Sequence, residues 1–145
     1  MTRDEILNMQ AGREMRRAIA ENVYKWKLEQ NHGFAGGNFW VGDGCLFGNR
    51  RESDLPEWDT DITAAWEVVE KISEMLFSEK LSISDGYNYL TLSRLGYKTG
   101  YAASFDCIFN DNWYEDITEY KFAARAETAP LAICCAALLA VMDAQ

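Results

Sequence analysis

The residues best suited to chemistry in this chain lie in one glycine-rich stretch, residues 31–58, which holds six glycines and several aromatic side chains. Aromatic rings offer flat faces for a base, glycines let backbone N–H groups approach an anion closely, and guanidinium groups match phosphate oxygens. Arg50 and Arg51 form the paired basic step of the stretch. The pattern predicts a pocket for a small anionic, nucleotide-like ligand. Its candidate ligand-binding residues are Asn38, Phe39, Trp40, Phe47, Arg50, Arg51 and Trp58.

The same stretch has a second interpretation that involves no ligand. Aromatic side chains in a long connection can fold down and cover the hydrophobic core. Arg50 and Arg51 are followed by Glu52 and Asp54, which can pair with them. A connection this long is usually functional or disordered, and its aromatic content argues against disorder. The sequence leaves both interpretations open.

No group of residues has the spacing of a known catalytic site. The chain has one histidine, His32, and no G-x-S-x-G elbow that would pair a nucleophile with a base. It contains no G-x-x-x-x-G-K-[ST] loop, and Gly42-Asp43-Gly44 lacks the strand–turn–helix spacing of a dinucleotide site. We therefore expect a protein without catalytic residues.

A metal or cofactor is not expected either. Zinc sites of the usual types need cysteine pairs or several histidines, and the chain has one histidine and no C-x-x-C pair. Paired acids are frequent, but they follow from an acidic composition and from helix capping. The expected state of the cysteines is free thiols in a reducing cytosol. They are Cys45, Cys107, Cys134 and Cys135.

Composition limits the class of protein and of partner. The 145 residues, 48% of them hydrophobic, suit a single domain over residues 1–145. A net charge of −9 disfavours duplex nucleic acid and anionic membranes as partners, whereas a small anion needs only a local basic cluster. The longest mostly apolar run, residues 129–142, is shorter than the roughly 20 residues of a membrane span. No targeting signal is visible, so we expect a cytoplasmic location.

Four helices are predicted from apolar periodicity and from capping residues. They cover residues 3–9, 13–29, 62–79 and the segment from 129 onwards, and their N-caps are Thr2, Asp59-Thr60-Asp61 and Thr128. The stripe expected to be buried on the second helix is Met15, Ala18, Ile19, Val23 and Trp26. The stripe expected to be buried on the third helix is Ile62, Ala65, Trp66, Val69, Ile72 and Leu76.

Three runs of alternating apolar and polar residues predict strands over residues 89–95, 101–109 and 117–125, and a short strand is expected at 39–41. Short connections between successive strands imply an antiparallel meander. The fold class expected is therefore α+β. A three- to four-stranded antiparallel meander packs against the N-terminal, middle and C-terminal helices as an α-β-α sandwich.

Several segments resemble the phage proteins that carry the α-β-α (ABA) sandwich domain. They are MTRDEIL at residues 1–7, AGRE at 11–14, TDITAAWEVVEK at 60–71 and AETAPLAIC at 126–134, continued by AALLA at 136–140. The resemblance implies a small phage protein with this sandwich fold. Because the matching residues are mostly caps and core positions, it transfers no site residue to this chain.

The resemblance and the glycine-rich stretch together suggest a function. Some small non-catalytic phage proteins counter host defences by sequestering the nucleotide signals that activate them. We expect this chain to be such a counter-defence binder, acting in the host cytosol as a sponge for a nucleotide-derived molecule.

Two alternatives remain open. The chain can instead be an inhibitor or adaptor that binds a host defence protein, with its acidic surface and loop aromatics forming the interface. It can also be a hydrolase of an unfamiliar kind. The strongly apolar closing helix further predicts a homodimer or higher homo-oligomer that covers part of it.

Overall fold

Helices and two antiparallel sheets alternate along the chain in a computed structural model that describes residues 1–31, 37–43, 50–80, 86–95, 100–110 and 117–143. The helices are α1 (Arg3–Leu7), α2 (Arg13–Asn22), α3 (Ile62–Lys80) and α4 (Ala129–Asp143). The small sheet has the order β1 (Lys27–Asn31), β2 (Gly37–Val41), β3 (Arg50–Arg51), and a 3-10 turn, Glu52–Asp54, follows it. The large sheet has the order β4 (Gly86–Arg94), β5 (Tyr101–Asn110), β6 (Ile117–Ala126).

The large sheet is the antiparallel meander that the alternating pattern predicts. β5 pairs with β4 and with β6, each time antiparallel, and each strand begins and ends within three residues of its predicted bounds. Ala103, Phe105, Phe122 and Ala124 are buried on the face that α4 covers. The predicted α+β fold, with a meander packed against helices, is therefore confirmed.

Helix α4 is the centre of the hydrophobic core. It begins as predicted, with the Leu131 N–H donating to Thr128 Oγ1 at 3.4 Å. Residues 130–141 are all buried, because α4 contacts β5 and β6 on one side and α1, α2 and α3 on others. Its apolarity is thus satisfied within one chain and gives no reason for a second protomer; homo-oligomerisation stays a prediction. In the described ranges, no helix has the length and apolarity to cross a membrane.

The second helix is shorter than predicted. It ends at Asn22 rather than at residue 29, and Lys25 adopts a left-handed conformation with φ 57°. The Trp26 N–H reaches back to the Ala20 carbonyl at 2.9 Å, and β1 begins at the next residue. Val23 and Trp26 are buried, as predicted. The prediction of burial is therefore confirmed, although the predicted helix continued beyond the end of α2. The sequence has no glycine or proline at this turn to mark it.

The buried face of α3 differs from the predicted stripe. Ala65, Val68, Val69 and Ile72 are buried, whereas Ile62 is 41% exposed and Trp66 is 47% exposed. The apolar spacing of this helix supports two neighbouring stripes, and packing against α4 selects the one centred on the smaller residues. Leu76 has a side chain outside the described residues.

Candidate ligand-binding site

The small sheet organises most of the stretch that the sequence singles out. β2 is its central strand, and two cross-strand rows involve the predicted site residues. One row joins Leu28, Trp40 and Arg50; the other joins Glu29, Phe39 and Arg51. Because side chains alternate along a strand, Trp40 and Phe39 lie on opposite faces of the sheet.

Two of the predicted aromatic residues lie in the core. Trp40 and Trp58 are fully buried, so neither indole offers a face to solvent. Trp58 stacks on Tyr24 with ring centroids 5.0 Å apart and an interplanar angle of 13°, and it meets Trp26 at 5.9 Å. This placement matches the interpretation in which aromatic residues of the stretch cover the core. In this arrangement they stiffen the support of the small sheet rather than line an open pocket.

Trp26 joins the end of β2 to this aromatic cluster. Its Nε1–H donates to the Asp43 carbonyl at 2.9 Å. Gly42 lies so close that a Cβ there would clash with the Trp26 ring and backbone, so only glycine permits the approach. The Cys134 thiol donates to the Trp58 carbonyl at 3.3 Å and thereby connects the cluster to α4.

Among the described residues of the predicted site, Phe39 and Arg51 form an accessible neighbouring pair. They are directly paired across β2 and β3, Arg51 is exposed and Phe39 is half-buried. Directly opposed residues on a sheet have Cβ atoms roughly 5 Å apart, which brings a phenyl ring beside a guanidinium group. Exposed Glu29 flanks Phe39 on the other side. We call the surface of Phe39 and Arg51 the outer patch.

The remaining predicted residues are distributed differently. Asn38 is exposed, but alternation places it on the face opposite Phe39. Arg50 pairs with Trp40 in the backbone register, and its side chain lies outside the described residues. Phe47 also lies outside them. Among the residues described, no carboxylate pairs with Arg51. The ion pair that the sequence suggested between Arg51 and Asp54 is therefore not formed.

Asp59 has a role that the sequence did not reveal. It is completely buried and accepts hydrogen bonds from the Gly12 N–H and from Arg16 Nε, the latter at 2.7 Å. It therefore ties the start of α2 to the segment before α3. Of the predicted capping run Asp59-Thr60-Asp61, Asp61 is the residue that caps α3, and it accepts from the Thr63 N–H at 2.7 Å. Nothing in local spacing connects Asp59 with Arg16, because they are 43 residues apart.

The two cysteines of α4 are poor nucleophiles. Cys134 and Cys135 are free and buried. Burial, with the nearby charge of Asp59, raises the pKa of the Cys134 thiol well above its ordinary value, and burial raises the pKa of Cys135 to about 11. Both are therefore protonated at neutral pH, and thiols react far more slowly than thiolates. No group of three metal-ligating side chains occurs among the residues described.

Comparison with known proteins identifies the family. Comparisons with curated proteins and with solved structures gave no match. The model of the Phage ABA sandwich domain family matches residues 17–106. This segment includes the small sheet, α3, β4 and part of β5, and it ends before α4. Since it covers more than half of the chain, this phage protein belongs to the Phage ABA sandwich domain family.

Proposed function

We propose that this phage protein is a non-catalytic binder that sequesters a nucleotide-derived small-molecule signal through the outer patch. In this role it would act in the host cytosol as a counter-defence protein. The proposal narrows the predicted pocket from seven residues to a surface centred on Phe39 and Arg51. It assigns Trp40 and Trp58 to the support of that surface.

The observation that carries the proposal is the direct cross-strand pairing of Phe39 with Arg51. A half-buried phenyl ring can stack on a base, and an exposed guanidinium can hold a phosphate through paired hydrogen bonds. Burial of Trp40 supports this arrangement, because alternation along β2 turns Phe39 outward when Trp40 is fixed in the core.

The chemistry of the outer patch favours binding over conversion. A phenyl ring and a guanidinium provide affinity, yet neither acts as a nucleophile or a general base at neutral pH. A bound nucleotide would therefore be retained unchanged, which is the property that sequestration requires.

A binding panel with variants tests the proposal. Thermal shift and calorimetry would be run with cyclic nucleotides and ADP-ribose derivatives on the parent, Arg51→Gln and Phe39→Ala. Loss of a charge-assisted contact should weaken binding roughly tenfold or more, and loss of a stacked ring roughly fivefold or more. Arg94→Gln is the matched control, because Arg94 is an exposed arginine of the large sheet.

Two results would contradict the proposal. One is the absence of stabilisation by every member of the panel. The other is a ligand that binds the Arg51→Gln and Phe39→Ala variants as tightly as the parent. Mass analysis of the recovered ligand separates sequestration from hydrolysis, because a hydrolase would return a changed molecule.

The exposed part of α3 favours a second candidate, an inhibitor that binds a basic host protein. Ile62 and Trp66 are one turn apart and both partly exposed, and the exposed acids Glu67 and Glu70 lie beside them. An aromatic residue within an acidic surface is a typical anchor for a basic partner. A stoichiometric protein recovered from host lysate by the parent but not by Trp66→Ala would favour this candidate.

A further inference from the structure

The large sheet has a second face that α4 does not cover. Alternation places the row Ser93, Ala102, Arg125 and the row Thr91, Ser104, Ala123 on this face. A groove of about 550 Å³ lies there, a volume within the usual range of small-molecule sites. We call it the sheet groove. These six residues line it together with Lys121.

Small side chains make the middle of the sheet groove concave. Ala102, Ser104 and Ala123 occupy adjacent positions of β5 and β6, so the floor lies below the longer side chains around it. Ser104 in the floor and Thr91 and Ser93 on its β4 side contribute three hydroxyl groups to the lining. Hydroxyl groups both donate and accept hydrogen bonds, which suits a ligand that itself carries several hydroxyls.

Two basic side chains, Lys121 and Arg125, line the groove on its β6 side. Lys121 and Arg125 are four residues apart on β6, so they share a face and their Cα atoms are roughly 13 Å apart. Arg125 is exposed, and no carboxylate in the described parts of the chain pairs with it. Its guanidinium is therefore available to an oxyanion from outside the chain.

Asp106 contacts three side chains that line the groove. It is only 2% exposed, accepts from Ser104 Oγ at 2.9 Å and from Thr91 Oγ1 at 3.4 Å, and pairs with Lys121 Nζ at 3.6 Å. A buried carboxylate is costly unless its partners are held firmly, so these contacts restrain the side chains that line the groove. Because the hydroxyl protons of Ser104 and Thr91 point toward Asp106, their oxygen atoms are left to accept from a ligand.

We propose that the sheet groove is a second binding site, for a polyhydroxylated organic anion in which a sugar carries a phosphate or a carboxylate group. Arg125 holds the anionic group, and the sugar hydroxyls donate to Ser104 and Thr91 over the small-residue floor. Asp106 is a positioning residue that orients the hydroxyls and Lys121. This site is separate from the outer patch and does not depend on the function proposed for it.

The test is an NMR titration of the ¹⁵N-labelled protein with ribose 5-phosphate, with gluconate, and with ribose as the uncharged comparison. We expect the amides of residues 91, 104 and 123 to shift with either anion and to remain in place with ribose. Arg125→Gln should raise the dissociation constant roughly tenfold or more. Ala123→Leu, which fills the floor at an exposed position without changing charge, should abolish binding.

Arg94→Gln is the matched control, because Arg94 is exposed and its register position lies on the other face of the sheet. The proposal is overturned if neither anion shifts these amides at about 10 mM, where a ligand with a millimolar dissociation constant would be nearly saturating. It is also overturned if Arg94→Gln weakens binding as much as Arg125→Gln, since the effect would then be one of net charge. Shifts confined to residues 39 and 51 would assign the anion to the outer patch instead.

Discussion

At the scale of single residues, buried polar groups hold the parts of this chain together. Asp59, fully buried, and Arg16, partly exposed, join two segments that are distant in sequence. The residue types could be recognised from the sequence, but their pairing could not, because a long-range ion pair leaves no local periodicity. Of the three residues predicted to cap α3, Asp59, Thr60 and Asp61, the structure shows Asp61 in that role and Asp59 paired with Arg16 instead.

Replacement of Asp59 with alanine should lower the free energy of unfolding by about 3 kcal/mol or more, because Arg16 and the Gly12 N–H lose their buried acceptor. The control is Glu57→Gln, which removes an exposed carboxylate 3.5 Å from the same arginine. Exposed ion pairs are weak, so this change should cost less than about 1 kcal/mol. Urea unfolding followed by tryptophan fluorescence measures both, and equal losses would contradict the assignment.

The Cys135 thiol makes stability depend on pH in the alkaline range. Its pKa is about 11 in the folded chain and nearer 9 when exposed, so its contribution is complete below pH 9 and is lost as the pH rises through 11. The loss is about 1.4 kcal/mol per pH unit across this window. Cys135→Ala should make the fall of unfolding free energy between pH 9 and pH 11 less steep, and the remaining fall includes the contribution of Cys134, whose pKa burial also raises. An unchanged slope would show that this thiol is not protected by the fold.

At the scale of elements, periodicity predicted which helices and strands form, but it did not predict where α2 ends or which face of α3 is buried. The three strands of the large sheet and the start of α4 follow directly from alternation and from the Thr128 cap. The end of α2 did not, because Lys25 takes a left-handed conformation without a glycine to indicate it. On α3 the apolar residues allow two stripes, and only the contact with α4 decides between them.

The corrected face of α3 gives a direct prediction. Trp66→Ala should change the free energy of unfolding by less than about 1 kcal/mol, because this side chain is already half exposed. Trp58→Ala removes a fully buried ring stacked on Tyr24 and should cost about 3–5 kcal/mol. Thermal and urea unfolding would compare the two. Similar losses of unfolding free energy in the two variants would contradict the exposed position of Trp66.

At the scale of the whole molecule, the hydrophobic core could be predicted from the sequence, whereas the candidate binding surfaces could not. Helix α4, covered by the large sheet and by α1–α3, accounts for most of the apolar pattern. Of the predicted site residues, Arg51 is exposed and Phe39 is half-buried, but the sequence did not distinguish the outward Phe39 from its buried neighbour Trp40. That choice depends on which face of the small sheet meets the core. The sheet groove was missed because its residues become neighbours only through strand register.

The central claim is that this phage protein retains a nucleotide-derived ligand at the outer patch. Native mass spectrometry of the chain, after incubation with cyclic nucleotides and ADP-ribose derivatives, tests it most directly. The predicted result is a complex of the parent with one intact ligand that is lost in Arg51→Gln and kept in Arg94→Gln. Ligand-free protein throughout the panel, a ligand of altered mass, or equal retention by Arg51→Gln would contradict it.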